Sequence, residues 1–98
     1  MISVEMSNNV TNIGIYAFYG CLVLSNINLS KDLKFIGAHA FADCKAIKSV
    51  AFPSNIIEIH RDAYKGCVSL NKVTFTKEKA DIAREFEENV YGCNVELI

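Results

Sequence analysis

The chain has 98 residues and a formal net charge of −1, from ten Lys and Arg against eleven Asp and Glu. Hydrophobic residues make up 51% of it, which is typical of a chain that buries a core and excludes intrinsic disorder. The near-neutral balance argues against a protein that binds the nucleic-acid backbone, and no apolar run approaches the ~18 residues of a membrane span. We therefore expect one small domain over residues 1–98, with no nucleic acid and no membrane insertion.

A 23-residue repeat organises most of the chain. Shifting the sequence by 23 residues aligns eight apolar columns over three units without a gap. The clearest columns are Ile13, Ile36 and Ile59; Ala17, Ala40 and Ala63; Phe18, Phe41 and Tyr64; Cys21, Cys44 and Cys67; and Leu24, Ile47 and Leu70. The period divides the chain into a partial repeat (1–12), three repeats (13–35, 36–58 and 59–76) and an aperiodic C-terminal segment (77–98).

Each repeat is predicted to contain the same elements in the same order. Apolar and variable residues alternate at 27–29 and at the equivalent positions of the next two repeats, which is typical of a half-buried strand. A polar turn follows, and then a second short extended piece, at 33–36 in the first repeat. The stretch 38–44 is predicted to be a compact helical or 3₁₀ turn with its apolar side chains pointing inward. One such unit cannot bury its own apolar face, so we expect the units to stack as a solenoid.

The middle repeat carries the most specific pattern of residues. Positions 36–53 read IGAHAFADCKAIKSVAFP, close to Ile-Gly-x-x-Ala-Phe-x-x-Cys-x-x-Leu-x-x-Ile-x-Leu/Phe-Pro. This pattern resembles the BspA-like leucine-rich repeats over about residues 4–76, with His60 as a departure at the position of Gly14 and Gly37. The resemblance implies an α/β fold, a leucine-rich-repeat solenoid of short strands and short helical turns. It also implies a binding or adhesion surface, often within a large surface protein, and it brings no family active site.

The two ends of the chain are predicted to differ. Val4 stands one period before Ile27, so the chain is expected to begin inside a repeat, at its strand, with an uncapped N-terminal edge. The period is lost from Lys77, and an amphipathic helix is predicted over 78–91. The apolar face of this helix is Ile82, Ala83, Phe86 and Val90. A last strand at 95–98 completes a predicted C-terminal cap built around the helix.

The column of cysteines allows two interpretations. Cys21, Cys44 and Cys67 occupy a core position of every repeat, which favours a structural ladder of buried, unreactive thiols. A reactive or metal-binding array of thiols is the alternative, and a single disulfide between adjacent units is geometrically conceivable, because stacked columns lie about 5 Å apart. The sequence has no Cys-x-x-Cys pair, so a zinc site is not indicated. Cys93 lies outside the repeat, and its exposure is left open.

The residues offer little for catalysis. Tyr16, His39 and Asp62 share one column, which predicts a surface contact between His39 and Asp62 rather than a catalytic pair. Catalysis would need a nucleophile beside them, and the nearby thiols belong to the buried column. We therefore expect no enzyme, with no catalytic residue, no metal and no cofactor.

Two surfaces are candidates for partner binding. The strand face is defined by small or polar side chains that alternate with the core on the predicted strands: Glu5, Asn26, Asn28, Ser49, Ala51, Lys72 and Thr74. Such a face suits a flat protein contact, although an inert solvated face has the same composition. The apolar patch is defined by bulky outer residues of the first repeat: Ile15, Tyr16, Tyr19, Leu22, Val23 and Phe35. An exposed apolar cluster marks a contact site; cover by upstream sequence, or loose packing over the uncapped end, is the alternative.

We expect a non-catalytic protein–protein interaction or adhesion module, part of or derived from a larger BspA-like surface or binding protein. The alternative is a stand-alone small protein that binds itself, as a homodimer through its N-terminal edge, or binds a target enzyme that it regulates. The expected partner is a protein or a second copy, and the sequence does not identify it. Residues 1–6 lack the features of a signal peptide, which favours the cytoplasm for the chain as written, whereas the resemblance favours the cell surface for a fragment of a larger protein.

Overall fold

The computed structural model describes residues 2–90 and 92–98, so Met1 and Tyr91 of the predicted elements lie outside the described residues. The strands are β1 (Ile2–Glu5), β2 (Asn12–Ile13), β3 (Leu24–Asn28), β4 (Phe35–Ile36), β5 (Ser49–Ala51), β6 (Glu58–Ile59), β7 (Lys72–Phe75) and β8 (Asn94–Leu97). A 3₁₀ turn (Lys77–Lys79) leads into the single α-helix of the described residues, α1 (Ala80–Asn89). The helix predicted over 78–91 is thus divided between the 3₁₀ turn and α1.

The strands form three parallel sheets, in the orders β1-β3, β2-β4-β6 and β5-β7-β8. Neighbouring strands are in register one period apart, since Ile13 pairs with Ile36, and Ile36 with Ile59. Val50 pairs with Val73 in the same way. One 23-residue repeat therefore advances the chain by one strand within a given sheet and places equivalent side chains over one another.

The core consists of columns of equivalent side chains that stack from repeat to repeat. The rings of Phe18, Phe41 and Tyr64 stack with centroid separations of 5.1 and 5.0 Å. Phe52 and Phe75 form a second stacked pair at 4.6 Å. Aromatic pairs of this kind contribute ~0.5–1.5 kcal/mol each beyond the area that they bury. The apolar columns that define the repeat in the sequence are therefore also the core.

The turn at 38–44 is not helical, which corrects the predicted short helical turns. The N–H of Cys44 donates to the Phe41 oxygen of the same turn, at 3.2 Å, whereas the N–H of Phe41 donates to the Ala63 oxygen of the next repeat, at 2.8 Å. His39, with φ of 57°, lies in the left-handed region and interrupts helical geometry at the start of the turn. The result is a series of β-turns bonded alternately within and between repeats. The inward spacing of apolar residues is shared by both geometries, so it does not distinguish them.

Helix α1 covers the C-terminal end of the stacked repeats. The ring of Phe86 packs edge-on against three core rings. Its centroid lies 5.4 Å from that of Phe52, 5.6 Å from Tyr64 and 5.9 Å from Phe75. Strand β8 adds a further parallel strand beside β7. No helix among the described residues has the length and apolar character that crossing a membrane requires.

Candidate binding surfaces

The strand face is accessible along its length. Its exposed members are Glu5, Asn26, Asn28, Ser49, Ala51 and Lys72, and Thr74 is half-buried. Parallel pairing sets Glu5 beside Asn28 in one sheet. Pairing between β5 and β7 sets Ala51 beside Thr74 in another. Because paired strands lie about 4.8 Å apart, the backbone holds these side chains in ordered rows, which reduces the entropy lost on binding.

Strand β8 extends the strand face by one strand. Lys72 pairs with Asn94, and Thr74 pairs with Glu96. The Lys72 Nζ atom lies 3.7 Å from the Glu96 Oε1 atom, with side chains 52% and 43% exposed. An exposed ion pair of this kind contributes ~0–1 kcal/mol to the free energy of unfolding, so its main effect is on the charge of the strand face. Asn94 and Glu96 are not predicted from the sequence as site residues, because only the register of β8 on β7 places them there.

All six residues of the apolar patch are exposed, with exposed fractions from 37% for Phe35 to 67% for Ile15. The ring of Tyr16 contacts Tyr19 edge-on, with centroids 5.3 Å apart. The same ring stacks on His39 at 5.0 Å. These mutual contacts restrict the aromatic side chains while leaving them in water. An exposed apolar cluster is one feature of contact surfaces, so the patch stays a candidate for partner binding.

The apolar patch adjoins a groove of about 460 Å³ that runs over β2 and β4. Ile15 and Phe35 line this groove, together with Gly14 and His60. Leu22 does not line it, so the patch extends beyond one concave site.

The cysteine column is a ladder of free thiols in the structure, not a disulfide. Cys44 Sγ donates a hydrogen bond to the carbonyl oxygen of Phe18, at 3.1 Å. Cys67 Sγ donates to the carbonyl oxygen of Phe41, at 3.0 Å. Burial raises the pKa of the Cys67 thiol to about 12 and also raises the pKa of Cys44, so both thiols are protonated and unreactive near neutral pH. Cys21, at the N-terminal edge, is only half-buried.

The remaining candidate residues for chemistry do not come together as a site. Cys93 is half-buried, and burial raises the pKa of its thiol, with a further contribution from the charge of Glu87. The predicted contact between His39 and Asp62 is not among the ion pairs of the described residues. The Asp62 N–H donates instead to the Nδ1 atom of His60, at 3.1 Å. Among residues 2–90 and 92–98, no group of three or more His, Cys, Asp or Glu side chains is placed to hold a metal ion.

A cleft of about 290 Å³, not predicted from the sequence, lies between the third repeat and α1. Its charged and polar lining residues are Glu58, His60, Arg61, Tyr64, Glu85 and Asn89. Because both signs of charge are present, the cleft does not select a ligand of one charge. Its shape depends on where α1 crosses the repeats, and the aperiodic segment of the sequence offers no column that would indicate this position.

The sequence from residue 1 to residue 96 matches the family described as BspA type leucine rich repeat region (6 copies). The chain belongs to this family. It is similar to the solved structure of a leucine rich cell surface protein from Faecalibacterium prausnitzii A2-165, with 29% sequence identity and a TM-score of 0.75. The match covers 97% of this chain and 25% of that one, so the chain spans about a quarter of that protein's length. A comparison with curated proteins found no match.

Membership of the BspA-type family confirms the resemblance carried by residues 36–53. The match extends beyond residue 76, the end of the predicted repeats, to residue 96. The structure accordingly has a leucine-rich-repeat fold of short strands in parallel sheets, with one short helix at the C-terminal end of the described residues.

Proposed function

We propose that the chain is a non-catalytic protein-interaction module of a larger cell-surface protein, that its stacked repeats form a short solenoid, and that it binds a partner protein through the strand face. The observation that carries this proposal is the exposure of mostly polar side chains in rows on the parallel strands of two sheets, β1-β3 and β5-β7-β8. Nothing in the comparisons indicates an enzymatic activity, and the buried thiols are protonated rather than nucleophilic.

The composition of the strand face supports a protein partner. Asn26 and Asn28 offer both donors and acceptors, and each is exposed on the same strand, β3. Short side chains such as Ser49 and Ala51 let a partner approach the sheet closely. Lys72 and Glu96 bring one charge of each sign, which fixes the register of a partner more than it raises affinity.

A cell-surface setting is supported by the relative of known structure. That protein is described as a leucine rich cell surface protein, and its chain is about four times as long as the matched part. A module that covers a quarter of such a protein would act beside further repeats or domains of the same polypeptide. This similarity supports a setting at the cell surface, where we propose that the role of the chain is adhesive.

Attachment of beads that carry the chain tests this proposal. Beads coupled to the unsubstituted chain should attach to surfaces coated with purified extracellular-matrix proteins, and not to dextran-coated surfaces. Substituting Asn26→Arg and Asn28→Arg together should reduce attachment about tenfold or more, because two bulky cations are placed in the contact area.

A matched control adds the same charge elsewhere. Asn8 and Asn9 are exposed in the turn after β1, outside the strand face, so Asn8→Arg with Asn9→Arg should attach as the unsubstituted chain does. Equal attachment of both double variants would contradict the strand face as the binding surface. Attachment to dextran alone, or to no protein surface, would contradict a protein-binding adhesive role.

A further inference from the structure

The turn between β1 and β2 carries a tripeptide with the acceptor pattern for N-linked glycosylation. Asn9-Val10-Thr11 fits Asn-x-Ser/Thr, with a middle residue other than proline. In this pattern the side-chain amide of asparagine receives the sugar, and the transferase recognises the hydroxyl group two residues later. The sequence contains the pattern a second time, at Asn28-Leu29-Ser30, so the two tripeptides can be compared within one fold.

The first tripeptide lies in an exposed turn with both of its polar side chains in water. The N–H of Val10 donates to the carbonyl oxygen of Ser7 at 3.4 Å, which closes a turn that has Asn9 at a central position. The backbone of Asn9 has no backbone partner among residues 2–90 and 92–98. Asn9 and Thr11 are exposed, whereas Val10 is half-buried and packs against the core. Val10 therefore anchors the tripeptide while the acceptor amide and the hydroxyl stay accessible to an enzyme.

The second tripeptide is accessible only at its asparagine. Asn28 is exposed, but it is the last residue of β3, and its carbonyl oxygen accepts from the Met6 N–H at 3.0 Å. Ser30 is fully buried, and its Oγ atom accepts a hydrogen bond from the Asp32 N–H at 3.2 Å. A transferase cannot reach this hydroxyl in the folded chain. Of the two tripeptides, the one at Asn9 is therefore the one that the fold presents intact.

The repeat does not require a hydroxyl group at Thr11. One and two periods later the equivalent residues are Lys34 and Ile57, so this column has no preference for a hydroxyl. The Thr11 side chain also makes no hydrogen bond with the residues that the structure describes. Ser30 differs, because its Oγ atom stabilises the turn that follows β3. The fold thus accounts for the hydroxyl of Ser30 but not for that of Thr11.

We propose that Asn9 is an N-glycosylation site, an inference that rests on the proposed cell-surface role, because export brings a chain to the transferase. The sugar donor is an oligosaccharide joined to a polyprenol through a pyrophosphate. The Nδ2 atom of Asn9 forms a bond to the anomeric carbon of the first sugar, and the bond from that carbon to the pyrophosphate oxygen breaks. The amide nitrogen releases one proton, and the polyprenyl pyrophosphate leaves with the electron pair of the broken bond.

The position of the proposed glycan is compatible with binding through the strand face. Asn9 lies beyond the end of β1, in the turn, whereas Asn28 belongs to the strand face and pairs with Glu5. A bulky sugar on Asn28 would cover the rows of side chains that are proposed to contact a partner. Burial of Ser30 prevents that modification in the folded chain. Glycosylation at Asn9 alone therefore leaves the strand face open.

Transfer to the folded chain in vitro tests the proposal. The purified 98-residue chain is incubated with an oligosaccharyltransferase and a polyprenyl-pyrophosphate oligosaccharide, and intact mass spectrometry counts the sugars attached. A single oligosaccharide is expected on each chain, and peptide mapping should place it on Asn9. Asn9→Gln and Thr11→Ala should each abolish transfer, whereas Thr11→Ser should retain it, because serine keeps the hydroxyl. No transfer to Asn9 in a chain with native circular dichroism would overturn the proposal.

The second tripeptide supplies a matched control within the same molecule. Asn28→Gln should leave transfer to the folded chain unchanged, because the Ser30 hydroxyl is not accessible there. A peptide of residues 24–34, too short to bury Ser30, should accept the oligosaccharide at Asn28. Refusal of this peptide would contradict burial as the reason for the difference. Equal transfer to Asn9 and Asn28 in the folded chain would contradict selection of Asn9 by the fold.

The protein in its own setting gives the final readout. In the cell-surface protein that contains this chain, peptide-N-glycosidase should release a glycan and convert Asn9 to aspartate, which peptide mapping detects. Recovery of Asn9 unmodified from that protein would overturn the proposal. The bead assay is separate, because glycosylated and unmodified chains should attach alike. Glycosylation of Asn9 without attachment would contradict the adhesive role alone, and attachment without glycosylation would contradict the modification site alone.

Discussion

The thiol of Cys67 donates a hydrogen bond to the carbonyl oxygen of Phe41, which lies 3.0 Å away and 26 residues earlier in the chain. Cys44 makes the same bond to Phe18. Each buried thiol thus joins its repeat to the preceding one at a position where the turn backbone is also bonded between repeats. Cys21 has no such partner among the described residues, so the contribution of the ladder is expected to fall towards the N-terminal edge.

Truncation of the ladder should therefore have unequal effects. Cys67→Ala removes a buried sulfur and leaves the Phe41 oxygen without its thiol donor, so the free energy of unfolding should fall by about 1–2 kcal/mol. Cys21→Ala acts at a half-buried site and should lower it by less than ~0.5 kcal/mol. Urea unfolding of both variants measures the difference. Equal losses would contradict a larger contribution from the buried thiol of Cys67 and its hydrogen bond than from Cys21.

Stability should fall at alkaline pH. Burial raises the pKa of Cys67 to about 12, whereas a thiol in the unfolded chain titrates near ~8.5. Between these two pKa values the unfolded chain binds fewer protons than the folded chain. The contribution of the Cys67 thiol to the free energy of unfolding is therefore complete below about pH 8.5 and is lost towards about pH 12. Each buried thiol steepens the fall by up to ~1.4 kcal/mol per pH unit.

Urea unfolding between about pH 7 and about pH 10.5 checks this dependence. The double variant Cys44→Ala, Cys67→Ala should lose less stability across that range than the unsubstituted chain, because it lacks both raised thiols. If the free energy of unfolding falls equally with pH in the two proteins, groups other than these two thiols cause the loss of stability at alkaline pH.

Tyr64 carries a hydroxyl group that the equivalent residues of the other two repeats lack. The equivalent residues are Phe18 and Phe41, and the Tyr64 hydroxyl is buried with no hydrogen-bond partner among residues 2–90 and 92–98. Burial raises the pKa of this phenol well above its usual range. Tyr64→Phe should raise the free energy of unfolding by about 1 kcal/mol, because an unsatisfied polar group is removed from the core.

Tyr19→Phe provides the control for this substitution. Its ring is about half exposed, so loss of the hydroxyl should change stability by less than ~0.5 kcal/mol. Thermal or urea unfolding compares the two variants. A loss of stability in Tyr64→Phe would show that the buried hydroxyl finds a partner.

The periodic part of the fold follows directly from the sequence. Columns spaced by 23 residues predict the parallel register, and Ile36 pairs with Ile13 and Ile59 as that spacing requires. The turn geometry does not follow, because apolar residues point inward in a helical turn and in consecutive β-turns alike. The sequence feature that indicates the turn geometry is the column of Gly20, Asp43 and Gly66. Two of its three members are glycine, and all three positions have the positive φ that glycine favours.

The candidate surfaces are predictable only where the repeat continues. The exposure of Asn26 and Asn28 follows from the alternation of the strand, which repeats in every unit. Glu96 joins the same face through the pairing of β8, and Glu85 lines a cleft through the placement of α1. Neither residue belongs to a column, so no comparison between repeats indicates its neighbours.

Anchoring of the C-terminal cap should depend on one aromatic ring. Phe86 contacts the rings of Phe52, Tyr64 and Phe75, so Phe86→Ala should lower the free energy of unfolding by about 3–5 kcal/mol. Arg84→Ala, on the exposed side of the same helix, should change it by less than ~0.5 kcal/mol. Urea unfolding distinguishes the two. A small effect of Phe86→Ala would mean that α1 does not stabilise the repeats that it covers.

The contact between Asp43 and Gly66 makes a last prediction about packing between repeats. Gly66 has φ of 79°, and a Cβ atom there would overlap the carboxylate of Asp43. Gly20 shares the column and the conformation, with φ of 69°, but a Cβ atom there would meet no atom of the described residues within 4 Å. Both Gly→Ala substitutions should destabilise through the left-handed backbone, by about 1 kcal/mol, and Gly66→Ala should lose about 1 kcal/mol more from the overlap. Urea unfolding of the Gly20→Ala and Gly66→Ala variants measures both losses. When the same substitutions are made in an Asp43→Gly chain, the additional loss of Gly66→Ala should disappear. If Gly66→Ala remains the more destabilising substitution in that chain, the Asp43 carboxylate is not the cause.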